Sequence, residues 1–254
     1  MLLAIDIGNT NITLGVFNEE KIIRSWRLST EITRTEDEYG VFIKNLLRET
    51  FLDDKITKAV ISSVVVQLTE RIEIALKKYL NIDSLIISHK IKMNVSLNLE
   101  EPQQTGADRI ANAGAASFLY SVPAIVVDFG TATSFDIVNK NNEFIGGIIT
   151  AGMKIQAEAL SAKTSKLPKL NIEAPENAIG RNTIDAMLSG IVRGHAAMID
   201  GLILECEKEL GEKATIIATG GYSSVISRYL RRKFDYINPD LTLIGMKILY
   251  DLNR

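Results

Sequence analysis

The chain is poor in the residues that would cross-link it or hold a transition metal. A single cysteine, Cys206, in 254 residues excludes an intramolecular disulfide and any cysteine metal cluster. Its helical spacing from Leu202 and Leu210 reads as a buried, inert thiol. Only two histidines occur. His89 lies in a polar loop, and His195, close to Arg193 in a long helix, reads as a packing or surface residue. Neither sign of charge dominates: a net charge of −2 makes no case for nucleic acid or an acidic membrane surface. The basic run Arg228, Arg231, Arg232, Lys233 reads as a solvated helix face. No apolar run approaches the ~20 residues that span a bilayer, and a strand follows Met1 directly, without a basic segment and cleavage site. A cytoplasmic protein without membrane or nucleic-acid partners is therefore expected. There is no P-loop and no Gly-x-Gly-x-x-Gly, which argues against a Walker-type NTPase or a nicotinamide enzyme. What is plentiful is apolar surface, 46% of residues, enough for a sizeable core.

Against that background one pattern occurs twice. Leu2-Leu3-Ala4-Ile5-Asp6-Ile7-Gly8-Asn9-Thr10-Asn11 and Ala124-Ile125-Val126-Val127-Asp128-Phe129-Gly130-Thr131-Ala132-Thr133 each run an apolar strand into Asp-x-Gly and then small polar residues. Another alternating strand follows each. Three meandering strands (2–7, 12–17, 21–28, then 124–128, 133–139, 143–149) precede strands alternating with helices in both halves. Helices are expected at 35–50, 67–80, 105–120, 152–161, 182–210, 223–232 and 239–252, and 88–104 reads as irregular. The expected fold class is α/β, a mixed sheet flanked by helices used twice, with domains at 1–117 and 118–254 and a nucleotide cleft between them.

Phosphate recognition needs backbone N–H groups that can approach closely, which glycine permits. Gly8 to Asn11 and Gly130 to Thr133 supply two such turns. The adjoining Asp6 and Asp128 can each hold a hydrated Mg²⁺ or another cation; either alone could equally be a turn residue bonded to its own backbone. Thr219-Gly220-Gly221, between a buried strand and a helix, lets the backbone approach an adenine or ribose, or is an ordinary strand-to-helix turn. Gly106-Ala107-Asp108-Arg109 sets a carboxylate beside a guanidinium at a helix start. Asp108 is there either a first-turn residue in capping-box spacing with Thr105 or a base that takes a proton from an attacking hydroxyl, with Arg109 holding an anionic group.

Taken together, Asp-x-Gly-Asn-Thr-Asn at 6–11, Gly-Ala-Asp-Arg at 106–109, Asp-Phe-Gly-Thr-Ala-Thr at 128–133 and Gly-Arg-Asn-Thr at 180–183 resemble type III pantothenate kinases. Gly146-Gly147, Thr164 with Leu167-Pro168, and Ala218-Thr219-Gly220-Gly221 fit the same pattern, so the resemblance runs from residue 5 to 221. It implies duplicated actin-like (ribonuclease H-like) domains of the actin, sugar-kinase and Hsp70 superfamily. It also implies ATP-dependent phosphorylation of pantothenate at the first step of coenzyme A biosynthesis, with Mg²⁺, a monovalent cation (K⁺ or NH₄⁺) and a homodimer. Carried over by residue, Asp6, Ile7, Gly8, Asn9, Thr10, Asn11, Ile12 and Thr13 form the first phosphate loop, with Asp6 reaching Mg²⁺ through water. Thr131, Gly220 and Gly221 contact ATP, and Asp128 sits at the monovalent cation. Gly106, Ala107, Asp108 and Arg109 frame pantothenate with Asp108 as general base, and Thr183 adds a substrate hydrogen bond or caps its helix.

Three positions depart from the family pattern. Leu99 stands where an aromatic ring usually lines the pantothenate site, Glu101 replaces an asparagine, and Ala151 replaces a proline before Gly152. These departures leave room for a kinase of another small hydroxylated substrate. A non-catalytic nucleotide-binding regulator is the alternative outside catalysis, and an intact Asp108 argues against it.

Overall fold

A computed structural model describes residues 1–254. The chain divides into two compact units. The first contains Met1–Asn94, Glu100–Ala115 and Thr242–Arg254; the second contains Val95–Leu99 and Ala116–Leu241.

In the first unit Leu2–Ile7 (β1), Asn11–Asn18 (β2) and Lys21–Ser29 (β3) form the expected antiparallel meander. β1 then pairs in parallel with Lys58–Ser63 (β4), and β4 with Ser84–Ile86 (β5), giving the order β3-β2-β1-β4-β5. Central position explains the composition of β1: Leu3, Ala4, Ile5 and Ile7 are all fully buried, because helices must cover any sheet with parallel strands. Glu36–Glu49 (α1) starts at a capping box in which Thr35 and Glu38 satisfy each other's backbone N–H. It turns Tyr39, Ile43 and Leu47 onto the sheet, beside Leu68, Ile72 and Leu76 of Val66–Leu80 (α2). Ala107–Leu119 (α3) follows a 3₁₀ turn at Pro102–Gln104.

The second unit repeats this plan and adds an edge. Ser96–Leu97 (β6) is a two-residue strand inside the stretch expected to be irregular; it pairs in parallel with Glu143–Ala151 (β9). Ala124–Phe129 (β7), Ala132–Val138 (β8) and β9 form the second meander. β7 also pairs in parallel with Thr215–Gly220 (β10), and β10 with Tyr236–Ile237 (β11). The order is β11-β10-β7-β8-β9-β6, the first sheet's order plus one strand. Met153–Lys163 (α4), Thr183–Leu188 (α5) and Gly194–Leu210 (α6) pack Met153, Ala157, Val192, Ala196, Ile199 and Ile203 on Val127, Phe129 and Phe135.

Two helices differ from expectation. The one predicted at 182–210 is a single helical run, but a π-helical turn at Ser189–Arg193 joins α5 to α6. Two polar side chains at and just after this turn differ in aim: Arg193 donates to the Glu176 carbonyl at 3.0 Å, while His195 is buried within the unit. By length and composition this 28-residue run could cross a membrane, and half of its most apolar window is buried in the unit. The helix predicted at 223–232 is only Ser223–Ile226 (α7). Asp200 of α6 accepts the backbone N–H groups of Arg231 and Arg232 at 2.9 and 3.0 Å, so these amides are satisfied without a helical ladder.

The closing helix Leu241–Leu252 (α8) contributes residues 242–252 to the first unit. Its backbone touches that of α3: a Cβ on Gly245 would lie 2.0 Å from the Ala111 carbonyl oxygen.

Candidate active site

The two aspartates of the repeat occupy the same place in their sheets. Asp6, near the end of β1, stands opposite Thr13 of β2 and Ser62 of β4. Asp128, near the end of β7, stands opposite Ser134 of β8 and Thr219 of β10. Each carboxylate is thus flanked by hydroxyl residues on both neighbouring strands. In the first unit the buried Ser62 hydroxyl donates to Asp6 Oδ1 at 2.9 Å.

The turn after Asp6 is narrow. Gly8 N–H donates to the Asn11 carbonyl at 3.0 Å, and a Cβ on Gly8 would stand only 3.1 Å from the same oxygen. Thr30 braces it from just past β3, its hydroxyl donating to the Gly8 carbonyl at 2.7 Å and its N–H to the Thr10 carbonyl at 3.0 Å. Ile7 and Ile12 are buried beneath the turn, and Asn9 and Asn11 are exposed on it. The turn after Asp128 leaves Gly130, Thr131 and Ala132 exposed. It is braced from the start of α4, where Gly152 N–H donates to the Thr131 carbonyl at 3.1 Å. A Cβ on Gly152 would lie 2.3 Å from that oxygen, so no other residue fits without a shift. At the end of β10, Gly220 has φ +85°, and a Cβ there would meet Asp128 Oδ1 and the Phe129 carbonyl at 2.7 and 2.6 Å. Glycine is required for both conformation and space. Gly221 follows it, exposed.

Asp108 is half-buried in the first turn of α3. The helix begins at Ala107, so Gly106 precedes it and the capping box with Thr105 is out of register. Asp108 Oδ1 instead accepts the Arg109 N–H at 2.8 Å. Burial pushes this carboxyl above the usual range, partly offset by the Arg109 amide and guanidinium. A Cβ on Gly106 would meet Asp108 Oδ1 at 2.5 Å and Val64 Cγ1 at 3.4 Å, and Val64 N–H donates to the Ile7 carbonyl at 3.1 Å. Gly106, just before the base candidate, thus lies close to Val64, which bonds the strand end bearing the first phosphate turn.

This arrangement has relatives. The model of the type III pantothenate kinase family matches residues 2–205. The chain belongs to that family. A type III pantothenate kinase of Exiguobacterium sibiricum is 42% identical over 255 residues, covering 100% of both chains. One of Finegoldia magna is 43% identical over 258 residues, covering 100% of this chain and 98% of its own. Among solved structures, the activator of the 2-hydroxyisocaproyl-CoA dehydratase from Clostridium difficile, with bound ADPNP, is 13% identical, covers 99% of this chain and 95% of its own, and has a TM-score of 0.58. MreB 5 of Spiroplasma citri, bound to AMPPNP, is 10% identical at 98% and 96% coverage, also with a TM-score of 0.58. At such identities the likeness concerns the fold alone, and that fold is the actin-like one that the family resemblance implied. The chain is a kinase by family.

The remaining residues of interest lie in the second unit. Leu99 follows β6, with Cδ2 4.0 Å from where a Cβ on Gly146 would be. Thr183 is exposed at the first position of α5, but Asn182 does the capping, its Oδ1 accepting Asp185 N–H at 2.9 Å. His195 is a residue whose partners local sequence did not reveal. Only 2% exposed, it lies 3.0 Å from the Thr133 hydroxyl and 3.0 Å from the Gln156 amide. Burial lowers its pKa to about 4.

Proposed function

We propose that the chain transfers the γ-phosphoryl group of ATP to the primary hydroxyl of pantothenate, forming phosphopantothenate at the first step of coenzyme A biosynthesis. The observation that carries this reading is the full-length match to type III pantothenate kinases at 42% identity, with Asp108 half-buried at the start of α3. The halves 1–117 and 118–254 each contribute one phosphate turn. Asp6, Ile7, Gly8, Asn9, Thr10, Asn11, Ile12 and Thr13 form one, Thr131 belongs to the other, and Gly220 and Gly221 take the adenosine side. Leu99, Gly106, Ala107, Arg109 and Thr183 contact pantothenate.

Phosphoryl transfer passes through a loose transition state, so positioning and charge neutralisation dominate over covalent chemistry. The hydroxyl proton leaves late, and Asp108 receives it on a carboxylate that burial has made a better base than a solvated one. No group of three or more His, Cys, Asp or Glu converges to cage a metal. Single carboxylates beside phosphate turns suit a hard cation whose other ligands are water and phosphate oxygens. Asp6 would hold Mg²⁺ through water, and Asp128 a monovalent cation, K⁺ or NH₄⁺. Bound Mg²⁺ neutralises charge on the transferring group. A cytoplasmic homodimer completes the reading; half-exposed Ile145 and Ile155 and the exposed Ile149 offer apolar surface on β9 and α4 for a second copy.

The test is ADP release with ATP, Mg²⁺ and K⁺, with and without pantothenate, for the native chain and Asp108→Asn. Pantothenate-dependent turnover is expected, falling about 10²- to 10⁴-fold in the variant while ATP affinity stays within about twofold. Equal turnover in the variant would remove Asp108 as base. Turnover indifferent to pantothenate would redirect the reading to another hydroxylated acceptor, with Leu99 and Glu101 the first positions to exchange.

A further inference from the structure

His195 is the buried titratable group that this reaction does not use, and its partners fix its state. Gln156 Nε2 donates to the Ala151 carbonyl at 2.9 Å, so that end of the amide is the NH₂. Its other hydrogen meets His195 Nδ1 at 3.0 Å, which must then accept. The neutral ring carries its proton on Nε2 and donates it to Thr133 Oγ1 at 3.0 Å. The network thus assigns the tautomer.

Every partner borders the second phosphate turn. Thr133 closes that turn and is 1% exposed. Ala151 precedes Gly152, whose N–H holds the Thr131 carbonyl, and Gln156 N–H donates to the Gly152 carbonyl at 3.1 Å. Residues of β8, of the β9–α4 junction and of α6 therefore meet on one imidazole. An apolar side chain would fill this space without the desolvation that burying three polar groups demands. Both ring nitrogens have partners, and the histidine lies two residues past a π-helical turn, an irregularity frequent at functional sites.

We propose that His195 is a positioning residue for phosphoryl transfer: by bonding Thr133 through Nε2–H and Gln156 through Nδ1, it fixes the Gly130–Thr133 turn in the shape that receives the ATP phosphates. The inference rests on reading that turn as a phosphate loop.

The experiment combines kinetics of His195→Leu, His195→Gln and Thr133→Val, varying ATP and pantothenate separately, with nitrogen-15 spectra of the native protein's two imidazoles. KM for ATP is expected to rise about fivefold in His195→Leu and Thr133→Val, as for one lost hydrogen bond, with KM for pantothenate unmoved. The double variant should be no worse than the worse single one, and His195→Gln, which keeps a donor near Thr133, should recover most of the loss. The His195 ring should be protonated on Nε2. An unchanged ATP KM in a folded His195→Leu, equal rises in both KM values, additive single effects, or an Nδ1-protonated ring overturns the proposal. If His195→Leu does not fold, the isosteric Thr133→Val and the spectra decide it. A native protein without pantothenate-dependent turnover would defeat the functional reading instead. ATP dissociation constants from calorimetry, with the same fivefold expectation, would then test His195 separately.

Discussion

Two ionisable side chains, one half-buried and one buried, respond to pH in opposite senses. Asp108 has its carboxyl pKa raised by burial, so over the window just above the ordinary carboxylate value the folded state holds more protons than the unfolded one. Its contribution to stability is full below the unfolded pKa and is lost as pH rises through the folded one. Asp108→Asn should accordingly melt higher than the native chain at neutral pH and no higher in acid; thermal scans at both pH values check this, and a lower neutral Tm would contradict it. His195 is depressed to about 4 against about 6.5 unfolded. Its neutral form therefore stabilises the fold above pH ~6.5, and that contribution fades as pH falls towards 4, by up to about 3 kcal/mol. Urea midpoints should drop between pH 7.5 and about 4.5 in the native protein and by clearly less in His195→Gln. Equal drops would place the titrating group elsewhere.

At the scale of elements, glycines distinguish braces from spacers. Gly152 holds the Thr131 carbonyl with no room for a methyl group, whereas nothing lies within 4 Å of a Cβ on Gly201 in α6. Gly152→Ala should cost about 1–3 kcal/mol through forced displacement and weaken ATP binding. Gly201→Ala should gain about 0.5–1 kcal/mol from unfolded-state entropy and leave kinetics alone. Denaturation curves and ATP titrations of both variants check the pair. Elements set by local pattern were legible in the sequence: both meanders, the helix α1, and the Asp-x-Gly turns at Asp6 and Asp128 all rest on neighbours in the chain. What stayed hidden depends on partners distant in sequence. Ser62 and Thr219 flank the two aspartates only through strand pairing. β6 consists of main-chain bonds such as Ser96 N–H to the Asn142 carbonyl, without a side-chain pattern. The helix expected at 223–232 ends early because Asp200, far back in the chain, takes its amides. His195 is polar inside a core for the same kind of reason, partners in a strand and another helix distant in sequence.

For the whole molecule the consequential feature is that the last helix in sequence contributes its residues from Thr242 onward to the first unit. Leu243 packs where a Cβ on Gly15 of β2 would stand 2.9 Å away, and Gly245 lies against Ala111. Thr242 donates to Asn112 Oδ1 at 2.9 Å, and the nearly buried Lys247 reaches Glu20 at 3.1 Å. Leu243, Met246 and Leu249 are at most 4% exposed. Burying such a side chain is worth about 1.5–3 kcal/mol, so three of them approach the roughly 5–15 kcal/mol that holds a domain together. A chain ending at Asp240 should therefore lose cooperative unfolding of its first unit, and Leu249→Ala in the full chain should cost about 2–5 kcal/mol. Residues 1–117 alone should remain unfolded, and should gain helical circular dichroism and a cooperative melt when residues 241–254 are added as a peptide. A truncated chain that melts at the full-length temperature would mean that the first sheet and its other helices suffice without α8.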